Sequence, residues 1–225
     1  MSIPMLNLGL IWIVFGLTMA GCDAPVKPIP EPDGRLCSPG LLKAVMAGDV
    51  SQIHWLASNG IEVNCARRAD EFLTTPLILA VGSNHAEAVK ELLALGADVF
   101  FNEGVPLSAA VSVHNVAIER LLLDAGADPN RRATEVDNLP LAFLWHDAPS
   151  AQLLLDYGAD ADVQWKGHTT LIAATVAGDT AFVKLLLDAG ADAALRDAEG
   201  HTALDYAKQR GNGEIIALLT RRTVP

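Results

Sequence analysis

The residues of this chain with the chemistry to act on another molecule are six histidines, three cysteines and a recurring set of acids. The histidines are His54, His85, His114, His146, His168 and His201. His168 and His201 each stand between a glycine and a threonine, Thr169 and Thr202, so they occupy the same place in two copies of one short pattern. Imidazole is the commonest protein ligand for zinc, and this pair is the first to test. Glu62, Asp98, Asp128, Asp160 and Asp192 each follow a glycine by two residues. A row of carboxylates could suit calcium, which gathers several oxygens around one ion. No glycine-rich phosphate loop, no G-x-S-x-G and no H-E-x-x-H is written anywhere, so the commoner sequence signs of nucleotide, hydrolase and metalloprotease chemistry are missing.

Whether such groups can meet depends on the elements that carry them. Apolar residues make up 51% of the 225 residues, yet aromatics only 5%. The core must come from Leu, Ala and Val, and Leu and Ala favour helices. Gly60, Gly96, Gly126, Gly158 and Gly190 recur at intervals of 36, 30, 32 and 32 residues. Leucine clusters precede most of them: ELLALG, RLLLDAG, QLLLDYG and KLLLDAG. Upstream of each lies a second pattern: SPGLLKAV, TTPLILAV, GVPLSAAV, NLPLAFLW, HTTLIAAT and HTALDYAK. A hydroxyl residue ahead of Pro-Leu caps a helix, and proline fits its first turn. Ala44, Ala80, Ala110, Ala174 and Ala207 let neighbouring helices approach. Gly48, Gly178 and Gly211 mark a reversal, a second helix buries the leucines, and the closing glycine ends it with a positive φ.

This unit resembles the ankyrin repeat, whose signature is T-P-L-H-x-A at a period near 33. The resemblance covers residues 38–222 and implies an all-α ankyrin-repeat solenoid of about six helix–turn–helix repeats with connecting hairpins. The units read as 37–69, 70–101, 102–133, 134–163, 164–196 and 197–222. Asn84 and His114 stand where an inter-helix glycine is usual. The fourth unit, LPLAFLWHDAPSAQLLLDYG, reads as two residues short between its helices and as the least regular. In stacked repeats His168 and His201 would lie about 10 Å apart, too far to share one ion, so both read as exposed hairpin-tip residues. One acid per unit gives too few oxygens for calcium, and the family resemblance makes these acids hairpin-shaping residues. No metal site and no cofactor are expected.

The first 36 residues differ. Residues 6–21, LNLGLIWIVFGLTMAG, carry no charge and suit a secretion signal better than a full membrane span. LTMAGC resembles the lipobox of bacterial lipoproteins, which implies a signal peptide over 1–21, cleavage before Cys22 and acylation of Cys22. No Lys or Arg precedes Cys22. An uncleaved membrane anchor and an ordinary buried thiol are the other readings. Asp23 after the cysteine implies, by the same resemblance, retention at the inner membrane. Residues 22–36 carry Pro25, Pro28, Pro30 and Pro32, an extended tether. The expected location is the periplasmic side of a bacterial envelope. There Cys37 and Cys65 could form a disulfide closing the first unit, or remain two independent thiols.

The net charge of -11 argues against nucleic acid and suits either a soluble surface or a basic partner. The family resemblance implies a concave face of hairpin tips and first helices that binds another protein. The matching positions are Phe72, Thr74, Asn138, His146, Asp147, Lys166, His168, Glu199, His201, Gln209 and Arg210, with Trp145 and Trp165 beside them. Exposed Trp is a strong interface anchor, although Trp145 could instead fill space in the fourth unit. The expected function is a non-catalytic, monomeric, lipid-tethered scaffold or protective factor. An immunity protein against a periplasmic toxin or lipase is the alternative, and an enzyme or catalytic subunit the rival class.

Overall fold

The computed structural model describes residues 37–69, 72–101, 104–131 and 136–222. Cys22, the apolar run and the proline tether lie outside the described residues. Twelve helices and four short strands occur among the described residues. By its contacts the chain divides between Asp128 and Pro129 into two units.

The first unit holds three helix pairs: α1 (Pro39–Ala47) with α2 (Val50–Ser58), α3 (Pro76–Gly82) with α4 (Ala86–Ala94), and α5 (Val105–Ser112) with α6 (Val116–Asp124). First helices pack on first helices and second on second, α1 on α3 on α5 and α2 on α4 on α6. The core repeats with the sequence. Leu41, Leu77 and Leu107 are buried, and so are Ala44, Ala80 and Ala110 one turn later. Ile53, Leu92 and Leu122 close the second layer. Side chains supply the helix starts: Thr75 Oγ1 accepts from Ile78 N at 3.2 Å and Asp49 Oδ1 from Gln52 N at 2.9 Å, each satisfying an orphan amide. Strands β1 (Arg67–Ala69) and β2 (Phe72–Thr74) pair antiparallel, with Arg67 opposite Thr74.

The turn after each first helix needs one left-handed residue. It is Gly48 (φ 67), Asn84 (φ 60) and His114 (φ 55) in this unit, so the two non-glycine positions adopt the conformation their types tolerate best. Gly48 has a second reason. A Cβ there would lie 3.0 Å from the ring of His85, which reaches across from the next pair to Met46 O at 3.2 Å.

The second unit holds α7 (Asn138–Leu144) with α8 (Ala148–Asp156), α9 (Thr170–Ala177) with α10 (Thr180–Asp188), and α11 (Ala203–Arg210) with α12 (Gly213–Arg222). Strands β3 (Gln164–Trp165) and β4 (His168–Thr169) form a two-stranded hairpin before α9. Lys166 (φ 53) and Gly167 (φ 82) make its tip, the paired positive φ values of a type I′ turn. Ala142, Ala174 and Ala207 are buried at the close approach. Phe143 and Phe182 meet edge to face at 5.1 Å. Thr202 and Asp205 form a reciprocal capping box at the start of α11.

The fourth repeat is a correction to the sequence reading. It is not short. His146 (φ 54) takes the left-handed place, and three residues separate α7 from α8, as three separate α3 from α4. The stretch NLPL offers two leucines. Leu139 is the buried one and Leu141 is only partly covered, so aligning on Pro140-Leu141 shifts the register by two. In the true register Ala142 falls where Ala80 does.

Hairpins are bonded to the next by an amide or carboxylate four residues after three of the closing glycines, Gly60, Gly126 and Gly158. Asn64 Nδ2 donates to Gly96 O at 2.8 Å while its Oδ1 accepts from Asp98 N at 2.8 Å. Asn130 repeats both bonds, to Gly158 O at 2.9 Å and from Asp160 N at 2.7 Å. Asp162 keeps the acceptor half alone, from Asp192 N at 2.8 Å.

Cys37 and Cys65, 28 positions apart in sequence, are joined by a disulfide, with Cα atoms 5.0 Å apart. It ties the two ends of the first helix pair. Cys37→Ser with Cys65→Ser should destabilise this unit by about 3 kcal/mol, through restored freedom of the unfolded loop. Urea unfolding with and without reductant measures it. An unchanged midpoint in reductant would mean that the bond contributes nothing.

Candidate functional site

The positions read as one binding face fall into two groups in the second unit. The hairpin ends of the first helices carry Trp165, Lys166, His168, Glu199 and His201. The opposite ends, where α7 and α11 finish, carry Trp145, His146, Asp147, Gln209 and Arg210. Repeats stack by translation, so the helices run the same way and Trp145 and Trp165 sit at opposite edges. Thr74, in the first unit, is half-buried in β2, and the side chain of Phe72 lies outside what is described.

Two of these residues do other work. Asn138 is corrected outright: it is 1% exposed, in the first turn of α7. Its amide donates to Pro129 O at 3.1 Å and Arg131 O at 3.4 Å, so it holds the preceding loop and is closed to a partner. Asp147 is the cap of α8, accepting from Ser150 N at 3.1 Å.

Trp145 is 37% exposed and Leu144 beside it 42%, so Trp145 does not simply fill space in the core. Helix α9 carries Val176 and Ala177 at the equivalent places, half-buried and exposed. This makes a short apolar row along the ends of α7 and α9. His146 flanks it, 6.3 Å from the Phe143 ring and 3.7 Å from Asp179 Oδ2. At the other edge Trp165 is half-buried, and Lys166 Nζ sits 4.6 Å from its ring centroid, a cation–π contact.

His168 also departs from the exposed hairpin-tip reading. Its side chain is 39% exposed and its Nδ1 lies 3.4 Å from Asp197 Oδ2. Asp197 was not singled out from the sequence. Its side chain is fully covered. Oδ1 accepts from His201 N at 2.8 Å and Glu199 N at 3.0 Å, and Oδ2 from the Tyr206 hydroxyl at 2.6 Å. The Tyr206 bond, more than those two amides and His168, holds the Asp197 carboxyl below its ordinary range, against the opposing pull of burial. The same bond, with burial and nearby acids, pushes the Tyr206 phenol up to about 12. The sequence sign was an acid three residues before a glycine, D-A-E-G, a turn pattern.

The recurring acids are structural where the structure shows their bonds. Asp98, Asp160 and Asp192 each accept from the amide two residues on, at 2.8, 2.9 and 2.8 Å. The hollow between Asn130, Asp137, Leu139 and Asp160 measures about 110 Å³, room for a few waters rather than a substrate.

Asn138→Ala should cost about 2 kcal/mol by leaving buried carbonyls unpaired, with no direct effect on partner binding. Urea unfolding read beside binding of a partner distinguishes the two. Lost binding at unchanged stability would return Asn138 to the binding face.

The family profile for ankyrin repeats, three copies long, matches residues 41–133 and again 141–224. No curated protein matches the sequence at a significant level. Among solved structures, an ankyrin repeat domain from Acinetobacter baumannii AYE is 28% identical with a TM-score of 0.71, covering 81% of this chain and 96% of its own. The ankyrin repeat domain of Bcl-3, of the IkappaB protein family, is 26% identical with a TM-score of 0.70, over 84% of this chain and 87% of its own. A chain from the complex of the predatory endopeptidase Bd0816 of Bdellovibrio bacteriovorus with immunity protein Bd3460 is 26% identical with a TM-score of 0.63, over 82% and 98%. Repeats of this fold generally serve as non-catalytic surfaces on which other proteins dock. The chain belongs to the ankyrin-repeat family and is a protein–protein interaction module.

Proposed function

We propose that this chain is a lipid-anchored periplasmic protein that binds and restrains or protects an envelope protein, without catalysis of its own. The observation that carries the binding role is the exposed apolar row of Leu144 and Trp145 continued by Val176 and Ala177 on α9. Large apolar side chains kept at the surface of a stacked array mark a docking edge. The periplasmic location is supported by the lipobox-like LTMAGC and by the Cys37–Cys65 disulfide, which an oxidising compartment sustains. A net charge of -11 favours a basic partner.

A second reading is an immunity protein that neutralises an envelope-directed toxin or lipase. The neighbour drawn from an endopeptidase–immunity protein complex favours it. The two readings differ in the partner: an enzyme of the same cell in one, a delivered or self-toxic enzyme in the other.

Capture of partners from the chain's own envelope by the intact lipoprotein tests the binding role. Trp145→Ala should weaken the captured partner by about 2 kcal/mol, roughly thirtyfold in Kd. Trp165→Ala with Lys166→Ala tests the other edge. Undiminished capture by both variants would remove both edges from consideration. Cys22→Ser should release the protein from membranes or block its processing. If it stays membrane-bound and correctly processed, the apolar run of residues 6–21 is itself the anchor.

A further inference from the structure

We propose that His168, Asp197 and Glu199 form a binding site for a zinc-like divalent ion between the fifth and sixth repeats. Stacking brings them together: His168 stands on β4, while Asp197 and Glu199 lie in the turn that opens the next repeat. One ligand atom from each lies within 4.8 Å of the other two. His201, which holds the place of His168 in that next turn, is not one of the three.

The histidine adds a second feature, although its side chain as a whole is 39% exposed. His168 Nδ1 is shut off from solvent and makes no hydrogen bond, a condition that native interiors seldom leave unexplained. It is 3.4 Å from Asp197 Oδ2. Two ligands of a tetrahedral ion, with bonds of about 2.0 Å, stand roughly 3.3 Å apart. The pair therefore already has the separation that an ion between them requires.

Asp197 is held for this role from behind. The amides of Glu199 and His201 fix Oδ1, and the Tyr206 hydroxyl fixes Oδ2 at 2.6 Å. Outer hydrogen bonds of this kind orient a ligating carboxylate. Glu199 is exposed, so its side chain can swing the last ångström without disturbing the fold. One imidazole nitrogen with two carboxylate oxygens suits zinc or a neighbouring transition ion. Calcium would need several more oxygens than these residues offer. The fourth position is left to water or to a side chain from a partner.

The test is calorimetric titration of the untagged full chain with zinc sulfate at neutral pH, with magnesium and calcium in excess. One ion per chain at micromolar affinity is expected. Glu199→Gln, whose side chain is exposed, should weaken binding at least tenfold while the zinc-free thermal unfolding stays unchanged. His168→Gln should do the same, and Tyr206→Phe should weaken binding about tenfold through the carboxylate it orients. His201→Gln should leave the affinity as it was. The proposal is overturned if the full chain takes up no stoichiometric zinc, which would leave His168 and Asp197 as a direct contact and nothing more. It is equally overturned if Glu199→Gln and His168→Gln bind like the wild type, or if His201→Gln alone abolishes binding.

Discussion

Within each unit, every first helix has to pass close to its neighbour, and an alanine at the crossing makes this possible. Ala44, Ala80 and Ala110 in one unit and Ala142, Ala174 and Ala207 in the other are buried there. A larger side chain at these points would push adjacent helices apart, and an interior already packed to crystal-like density absorbs such a change poorly. The leucine that precedes the alanine by one turn is then buried in the first five repeats, and Leu204 of the last is half-buried. Hairpin spacing follows from helix spacing, so the bonds from Asn64 and Asn130 to the next hairpin depend on it too. So does the meeting of His168 with Asp197.

Acidity has a local explanation that tempers its use as a sign of a partner. Asp49, Asp147 and Asp179 cap helices. Asp98, Asp160 and Asp192 shape turns, and Asp197 is enclosed by its own hydrogen bonds. Each is an acceptor placed where backbone amides would otherwise go unpaired. Much of the negative charge is therefore a by-product of building short helices and tight turns repeatedly. Asp49, Asp98, Asp160 and Asp192 do this while exposed, so they still add to the outward negative charge.

The repeat was legible because its signals are local. Caps, prolines, buried leucines and reversing residues sit at fixed offsets, and the left-handed Asn84 and His114 could be placed from Gly48 and Gly178. The fourth repeat misled through two leucines flanking one proline: Leu139 and Leu141 are equivalent on paper, and only packing chooses between them. Asn138 looked like surface because it is polar, yet a loop folded over it and used its amide. Asp197 was hidden for the opposite reason. Its partners come from the turn after it, from Tyr206 and from the preceding hairpin, and no single window of sequence contains them all. The apparent unity of the tryptophans failed because closeness in sequence, 145 against 165, does not say which end of a helix a residue occupies.

The disulfide of the first repeat also sets a path for mechanical load. Tension applied through the chain ahead of Cys37 reaches that residue and passes across the sulfur bridge to Cys65. The helices between, α1 and α2, lie in a covalently closed loop and carry none of it. Pulling therefore begins to act on the fold only after Cys65, at β1 and the second repeat. A stacked array would otherwise peel from its terminal unit inward, since each repeat leans only on its neighbours. The first repeat is therefore the one that a pull on the chain ahead of Cys37 cannot unravel.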